Sequence, residues 1–393
     1  MGPERSAAHN DGRVPLRTIA REWTRLGYTG FGGPPTHILL LRRLCVEERR
    51  WLNSKEFEDA IATTNLLPGP ASTQLAIYCA WKLRGPLGGV LGGLCFICPG
   101  LILIIALSAL FLAKHPPIGV LGAAAGAGAA VPAVALNASR GLLPASWRRI
   151  GDARSQRLRW VGYAVVGAVA AAWFGEYLVI ALIACGVFEI VIRRRPQLES
   201  GATSSALVAG TLHVAAFGGL AALSWEAIKV GALSYGGGFV IVPLMQHDAV
   251  ITYHWMTGPQ FLNAVALGQV TPGPVVQTVA VVGYAAAGVG GALLAAALAF
   301  APSFAFVLAG GSRFDRIRAN REVESFLTGA GPSVIGAIAG SAIPLARSLH
   351  FSWQIPVLLA AAVWLLVARR SVVTCLLIAG VVGIVVALVG VGV

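Results

Sequence analysis

The triplet Pro68-Gly69-Pro70 lies in a predominantly apolar stretch and returns 204 residues later as Pro272-Gly273-Pro274. At the same displacement, without a gap, Gly32-Gly33 falls on Gly236-Gly237, Trp51 on Trp255, Phe57 on Phe261 and Ala60 on Ala264. One register held over about 40 residues marks a duplicated structure. Proline donates no N–H and clashes with the preceding turn, so each triplet must interrupt a helix. At membrane depth, interrupted backbone survives only where protein buries it or where it lines a cavity. Interruptions at corresponding positions of two halves are the best sequence-level pointer to a transport site.

Composition places those interruptions in a membrane. The 393 residues are 56% hydrophobic and 12% charged, with a mean hydropathy of +0.74, well beyond a soluble domain. Apolar runs at Leu87–Leu112, Ile118–Ala138, Val161–Ala172, Glu176–Ile192, Gly288–Leu308, Val323–Leu345, Trp353–Ala368 and Ser371–Val393 read as spans. The fold class expected is an all-α polytopic membrane protein of about ten spans, up to about 13 if residues 15–45 and 206–245 contribute more than one broken helix each. No cleavable signal peptide is expected, because the Arg-bearing segment before Arg25 lacks an apolar core.

The net charge of +13 suggests a nucleic-acid partner until its placement is considered. Arg and Lys gather in short loops between apolar runs, as in residues 140–159, 193–195, 313–321 and 369–370, which is the signature of cytoplasmic loops. A nucleic-acid partner is not expected. Residues 42–55 carry five Arg or Lys, whereas the matching segment 246–259 carries none and holds His247, Asp248 and His254. One loop then faces the cytoplasm and its mate the outside, so the two homologous halves are expected in inverted topology. The organisation predicted is a disordered N-terminus (1–15), a first repeat (16–192), a cytoplasmic linker (193–205) and a second repeat (206–393).

Each triplet should be followed by a half-helix whose first amides lack intrahelical acceptors. The amides and side chains of Ser72, Thr73 and Gln74, and in the second copy Gln277 and Thr278 after Val275-Val276, form donor clusters at positive helix ends suited to an anion. Two opposed ends offer about +0.5 charge each. Gly32, Gly33, Gly236 and Gly237 allow positive φ or close backbone approach and read as lining the substrate. Asn65 and Gln269 match each other before the turns and supply uncharged amides. His37 is the ionisable residue nearest the first Gly-rich turn, while Glu58, Asp59 and a Glu226–Lys229 pair at i, i+3 read as proton carriers or as interfacial pairs. Asn53 or Ser54, and Thr257, read as N-caps of the helices leading to the triplets. Cys95 and Cys98 lack a second pair or a nearby His, so the six cysteines read as packing residues; no metal and no cofactor is expected. Walker A, HExxH and dinucleotide motifs are missing, which argues against an enzyme or an ATP-driven pump.

The combination Phe31-Gly32-Gly33-Pro34 with His37, Trp51-Leu52 with Glu56-Phe57, Leu67-Pro68-Gly69-Pro70, Tyr235-Gly236-Gly237-Gly238 and Thr271-Pro272-Gly273-Pro274 resembles the two-domain members of the chromate ion transporter family, over roughly residues 16–393. The resemblance carries over to those positions and to Gln74. It departs at Pro35-Thr36, at Ala71, where the family commonly has Asn, and at Tyr235. It implies a multi-pass carrier of the inner (plasma) membrane that exports chromate, a tetrahedral dianion like sulfate, on the proton-motive force and so gives chromate resistance. The partners implied are that oxyanion and the lipid bilayer, with a homodimer left open. Rival readings are a carrier of sulfate or another oxyanion, an anion channel, and a membrane reductase.

Overall fold

The computed structural model describes residues 14–65, 67, 69–148, 150, 153–194, 219–234, 239–310 and 320–392. These residues form helices and connecting turns, with no strand among them. The first copy comprises α1 (Leu16–Thr29), α2 (Pro34–Arg42), α3 (Ser54–Thr64), α4 (Ala71–Phe111), α5 (Ile118–Arg148), α6 (Arg154–Trp173) and α7 (Leu178–Arg194). The second comprises α8 (Leu220–Leu233), α9 (Ile241–His247), α10 (Gly258–Val270), α11 (Thr278–Gly310), α12 (Arg321–Gly340), α13 (Ala342–Arg347), α14 (Gln354–Ala362) and α15 (Val372–Leu388). The expectations placed on residues 1–13, Pro68, 195–218, 235–238 and 311–319, Gly236 and Gly237 included, lie outside the described residues. Helix α7 runs to Arg194, so the linker expected from 193 starts as helix.

The duplication extends to local structure. Asn53 caps α3 in a reciprocal box with Glu56, and Thr257 caps α10 in the same box with Gln260, as both N-cap readings required. Before each cap the chain makes a π-type turn, Arg43–Glu48 and Asp248–Thr252, and then a left-handed residue, Arg50 (φ 50°) and His254 (φ 51°). Both long helices break in the same way, at Arg84-Gly85 and Ala287-Gly288, where the glycines take φ of 66° and 64°. Each is therefore a half-helix rising from its Pro-Gly-Pro turn and a second apolar segment beyond the kink.

Five helical stretches are long and apolar enough to cross a bilayer: Ala71–Phe111, Ile118–Arg148, Gly175–Arg194, Val275–Gly310 and Arg321–Arg347. The stretches Gln354–Val367 and Val372–Leu388 are apolar but shorter. The run Val161–Ala172 lies in α6, whose opening turns carry Arg154, Arg157 and Arg159 and leave it outside that set. The chain is an all-helical polytopic membrane protein.

Helices of the two copies interlock. α5 packs along α15, and α12 packs along α6 and α7, while α4 lies against α11. Small residues permit this closeness. A Cβ on Gly126 would sit 2.1 Å from the Ala379 carbonyl oxygen, and one on Gly329 would sit 2.2 Å from that of Cys185. Helices α4, α5, α6 and α7 of the first copy are thus held partly by the second, whereas α1, α2 and α3 pack mainly on α4 and on one another.

Candidate functional site

The turns are built as their sequence requires. Gly69 and Gly273 take φ of 120° and 101°, a region that disfavours a side chain. Helix α4 starts at Ala71 with Pro70 extended before it, and the second copy enters α11 through a tight turn at Val275–Gln277. One expectation is corrected here. The amides of Thr73 and Gln74 both donate to the Pro70 carbonyl at 3.0 Å, and that of Gln277 donates to Pro274 at 2.9 Å, because these helices tighten over their first turn. The amides at the first positions, Ala71 and Ser72 in one copy and Val275 and Val276 in the other, precede any carbonyl their helix can offer.

The first Gly-rich turn lies against the second copy's triplet. Gly32 and Gly33 adopt φ of 98° and 77°, and the Gly273 N–H donates to the Gly30 carbonyl at 3.0 Å. His37 is buried, with Nε2 at 2.9 Å from that same carbonyl and Nδ1 at 3.2 Å from Ser72 Oγ. One tautomer satisfies both contacts: Nε2–H donates to Gly30, and the Ser72 hydroxyl donates to Nδ1. The edge of Phe96 packs the ring, centroids 5.1 Å apart at 87°. His37 therefore ties the start of α4 to the Gly30 carbonyl that also holds Gly273.

The reciprocal contacts come from the far segments of the broken helices. A Cβ on Gly100 would lie 2.0 Å from the Pro272 carbonyl oxygen and 2.5 Å from Gln277 Oε1. Gln277 Nε2 donates to the Ile97 carbonyl at 2.8 Å. Across the molecule, a Cβ on Gly69 would meet Gln74 Nε2 at 2.6 Å and Ser303 Oγ at 3.1 Å. Ser303 and Gly100 were not anticipated, nor was Ser234. A repeat signal for two of them exists at 203 residues, where Pro99-Gly100 falls on Pro302-Ser303.

Several polar atoms in this region are buried without a hydrogen-bond partner: Thr73 Oγ1, Gln269 Nε2, Gln277 Oε1, Ser303 Oγ and Ser234 Oγ. Such groups are costly to leave unpaired, and clusters of them mark places where a ligand or water completes the bonding. Gln74 is fully buried beside them, and the Thr278 hydroxyl donates to the Val275 carbonyl at 2.8 Å. Asn65 is not brought in; it ends α3, half-buried, with its N–H on the Ile61 carbonyl. Hydroxyls and amides at two positive helix ends solvate an oxyanion without a buried counter-charge. A cleft of about 290 Å³ elsewhere, lined by Arg25, Thr29, Arg43 and Glu48 among others, leaves these residues out.

Comparison with known proteins agrees with the duplication. The sequence profile of the chromate transporter family matches twice, over residues 17–190 and 221–384. The chromate transport protein of Cupriavidus metallidurans is 32% identical over 356 residues, covering 88% of this chain and 87% of its own length. That of Pseudomonas aeruginosa is 33% identical over 340 residues, 82% of this chain and 79% of its own. An uncharacterized transporter of Bacillus subtilis is 36% identical over 112 residues, 28% of this chain and 57% of its own. No solved structure matches. Two profile matches whose starts lie 204 residues apart, each holding one Pro-Gly-Pro turn of the buried site, show that the chain is a transport protein rather than an enzyme and belongs to the chromate transporter family.

Proposed function

We propose that this protein exports chromate across the cell membrane by alternating access, with its halves inverted, drawing on the proton-motive force and so giving chromate resistance. The oxyanion is held between the two Pro-Gly-Pro turns by Ser72, Thr73, Gln74, Gln277 and Thr278, with Gly69, Gly273 and the Gly-rich turn at Gly32-Gly33 admitting it to the backbone, and with Gln269 and His37 around them. The observation that carries this reading is the set of buried, unpartnered hydroxyl and amide atoms at two helix starts from opposite copies. The names of the Cupriavidus and Pseudomonas relatives supply the substrate. An inside-negative potential drives a dianion outward by about 2.3 kcal/mol per charge per 100 mV.

Unequal packing of matching helices supports the alternating cycle. Helix α10 lies along α5, and a Cβ on Gly128 would be 2.4 Å from Asn263 Oδ1. The mates of those residues are Gly331 and Asp59, and a Cβ on Gly331 would meet nothing within 4 Å. A carrier closed on one side and open on the other has this asymmetry, and exchanging the two arrangements moves the site from one face to the other. Proteoliposomes given labelled chromate, with sulfate competing and a pH gradient imposed, test the reading. Saturable chromate movement enhanced by the gradient is expected. Preference for sulfate transfers the role to another oxyanion, and ohmic conductance indifferent to the gradient means a channel.

A further inference from the structure

Outside the site, the densest buried charge among the described residues joins α8 to the turn after α9. Glu226 is 0% exposed, and its Oε2 lies 2.5 Å from Lys229 Nζ, one helical turn on. The same ammonium pairs with Asp248, which also accepts from the Thr252 hydroxyl at 3.3 Å. Two carboxylates thus share one cation. The other groups facing them are few. His247 Nδ1 is 3.5 Å from Asp248 Oδ1, and Tyr253 follows the turn. Gly175 abuts the His247 ring from the short turn that also carries Glu176 and Tyr177. Helix α11, packed along α8, has Tyr284 as its only titratable side chain. Glu226, Lys229 and Asp248 by themselves carry one negative charge in excess.

The matching position in the first copy is built differently. Glu22, 204 residues before Glu226, is buried but faces three guanidiniums, Arg49 at 2.7 Å, Arg21 at 3.0 Å and Arg25 at 3.6 Å. Burial alone would push its carboxyl up, but Arg49, Arg21 and Arg25 hold it below the ordinary carboxylate range. Glu22 is a fixed anion in a cationic cage. An unbalanced buried charge costs several kcal/mol, and the usual relief is to bind a proton.

We propose that the Glu226–Lys229–Asp248 cluster binds one exchangeable proton, on the Glu226 carboxyl, and that it is the coupling-ion site of the carrier. The proton comes from water on the side of the 246–259 loop and returns to water on the opposite side, and no other bond changes. Asp248 keeps the ammonium when Glu226 is neutral. Its coupling role rests on the transport reading above, whereas the bound proton does not, so the two are tested separately.

Infrared difference spectra of the detergent-purified protein at neutral pH should show a protonated-carboxyl band that disappears in Glu226→Gln. Absence of the band from wild type, or its persistence in the variant, overturns the proposal whatever the transport result. In proteoliposomes, Glu226→Gln and Asp248→Asn should each cut the stimulation of chromate movement by a pH gradient at least tenfold, and His247→Gln should leave it. Full stimulation in both carboxylate variants, or its loss in His247→Gln, removes the assignment. If wild type moves no chromate at all, the transport reading fails, and the infrared result still decides the proton site.

Discussion

At the scale of residues, the site depends on where side chains are missing. Gly100 admits the Pro272 carbonyl to within 2.0 Å of where its Cβ would be, and that atom belongs to backbone that cannot swing aside. Gly100→Ala should therefore destabilise the protein by about 1–3 kcal/mol through overpacking. Gly331→Ala, at a helical position with open space around it, should leave stability unchanged or slightly raised. Thermal unfolding in one detergent checks both, and equal midpoints for the two variants would contradict the packing described. Gly69 and Gly273 were legible in the sequence because two prolines frame each. Gly100 and Ser303 were not, because the register slips from 204 to 203 residues between the triplets and the helix breaks, and a gapless comparison loses them. The free amides were over-read: sequence places Thr73 and Gln74 at a helix start, but the tightening that turns their N–H groups onto Pro70 depends on local geometry.

At the scale of elements, the two copies are nearly the same in sequence pattern and differ in what they touch. The capping boxes, the π-type turns and the kinks recur; the sequence offered Thr257 for one cap and Asn53 or Ser54 for the other, and the reciprocal box with Glu56 selects Asn53. The packing of α10 on α5, without a comparable packing of α3 on α12, was not readable, because it depends on how the assembled helices meet and not on either segment. The contact gives a prediction. Paired cysteines in Gly128→Cys/Asn263→Cys should oxidise readily, since the Cβ position at 128 is 3.6 Å from Asn263 Cγ, the place an introduced sulfur would take. The matching pair, Asp59→Cys/Gly331→Cys, should cross-link only when the protein turns over with a transported oxyanion. Equal oxidation of both pairs at rest would remove the asymmetry from the account.

At the scale of the molecule, interlocking and a shared site have one origin. Helices α5 and α12 each lie against elements of the other copy, and the Gly273 amide is held by the Gly30 carbonyl, so the turns approach only when both halves are assembled. Duplication, apolar character and the interruptions were visible in the chain, whereas interlocking required knowing which glycines meet which carbonyls. On the proposed reading, each copy's positive helix end supplies about half of the site's electrostatic attraction. The central claim is that one oxyanion occupies both ends at once. Chromate counterflow in proteoliposomes measures it most directly, comparing wild type with Gly69→Leu, Gly273→Leu and the double variant, each first shown to be folded and monodisperse. The account predicts that either single substitution lowers the rate by at least tenfold and that the double adds little. A double variant exchanging chromate at the wild-type rate would contradict it.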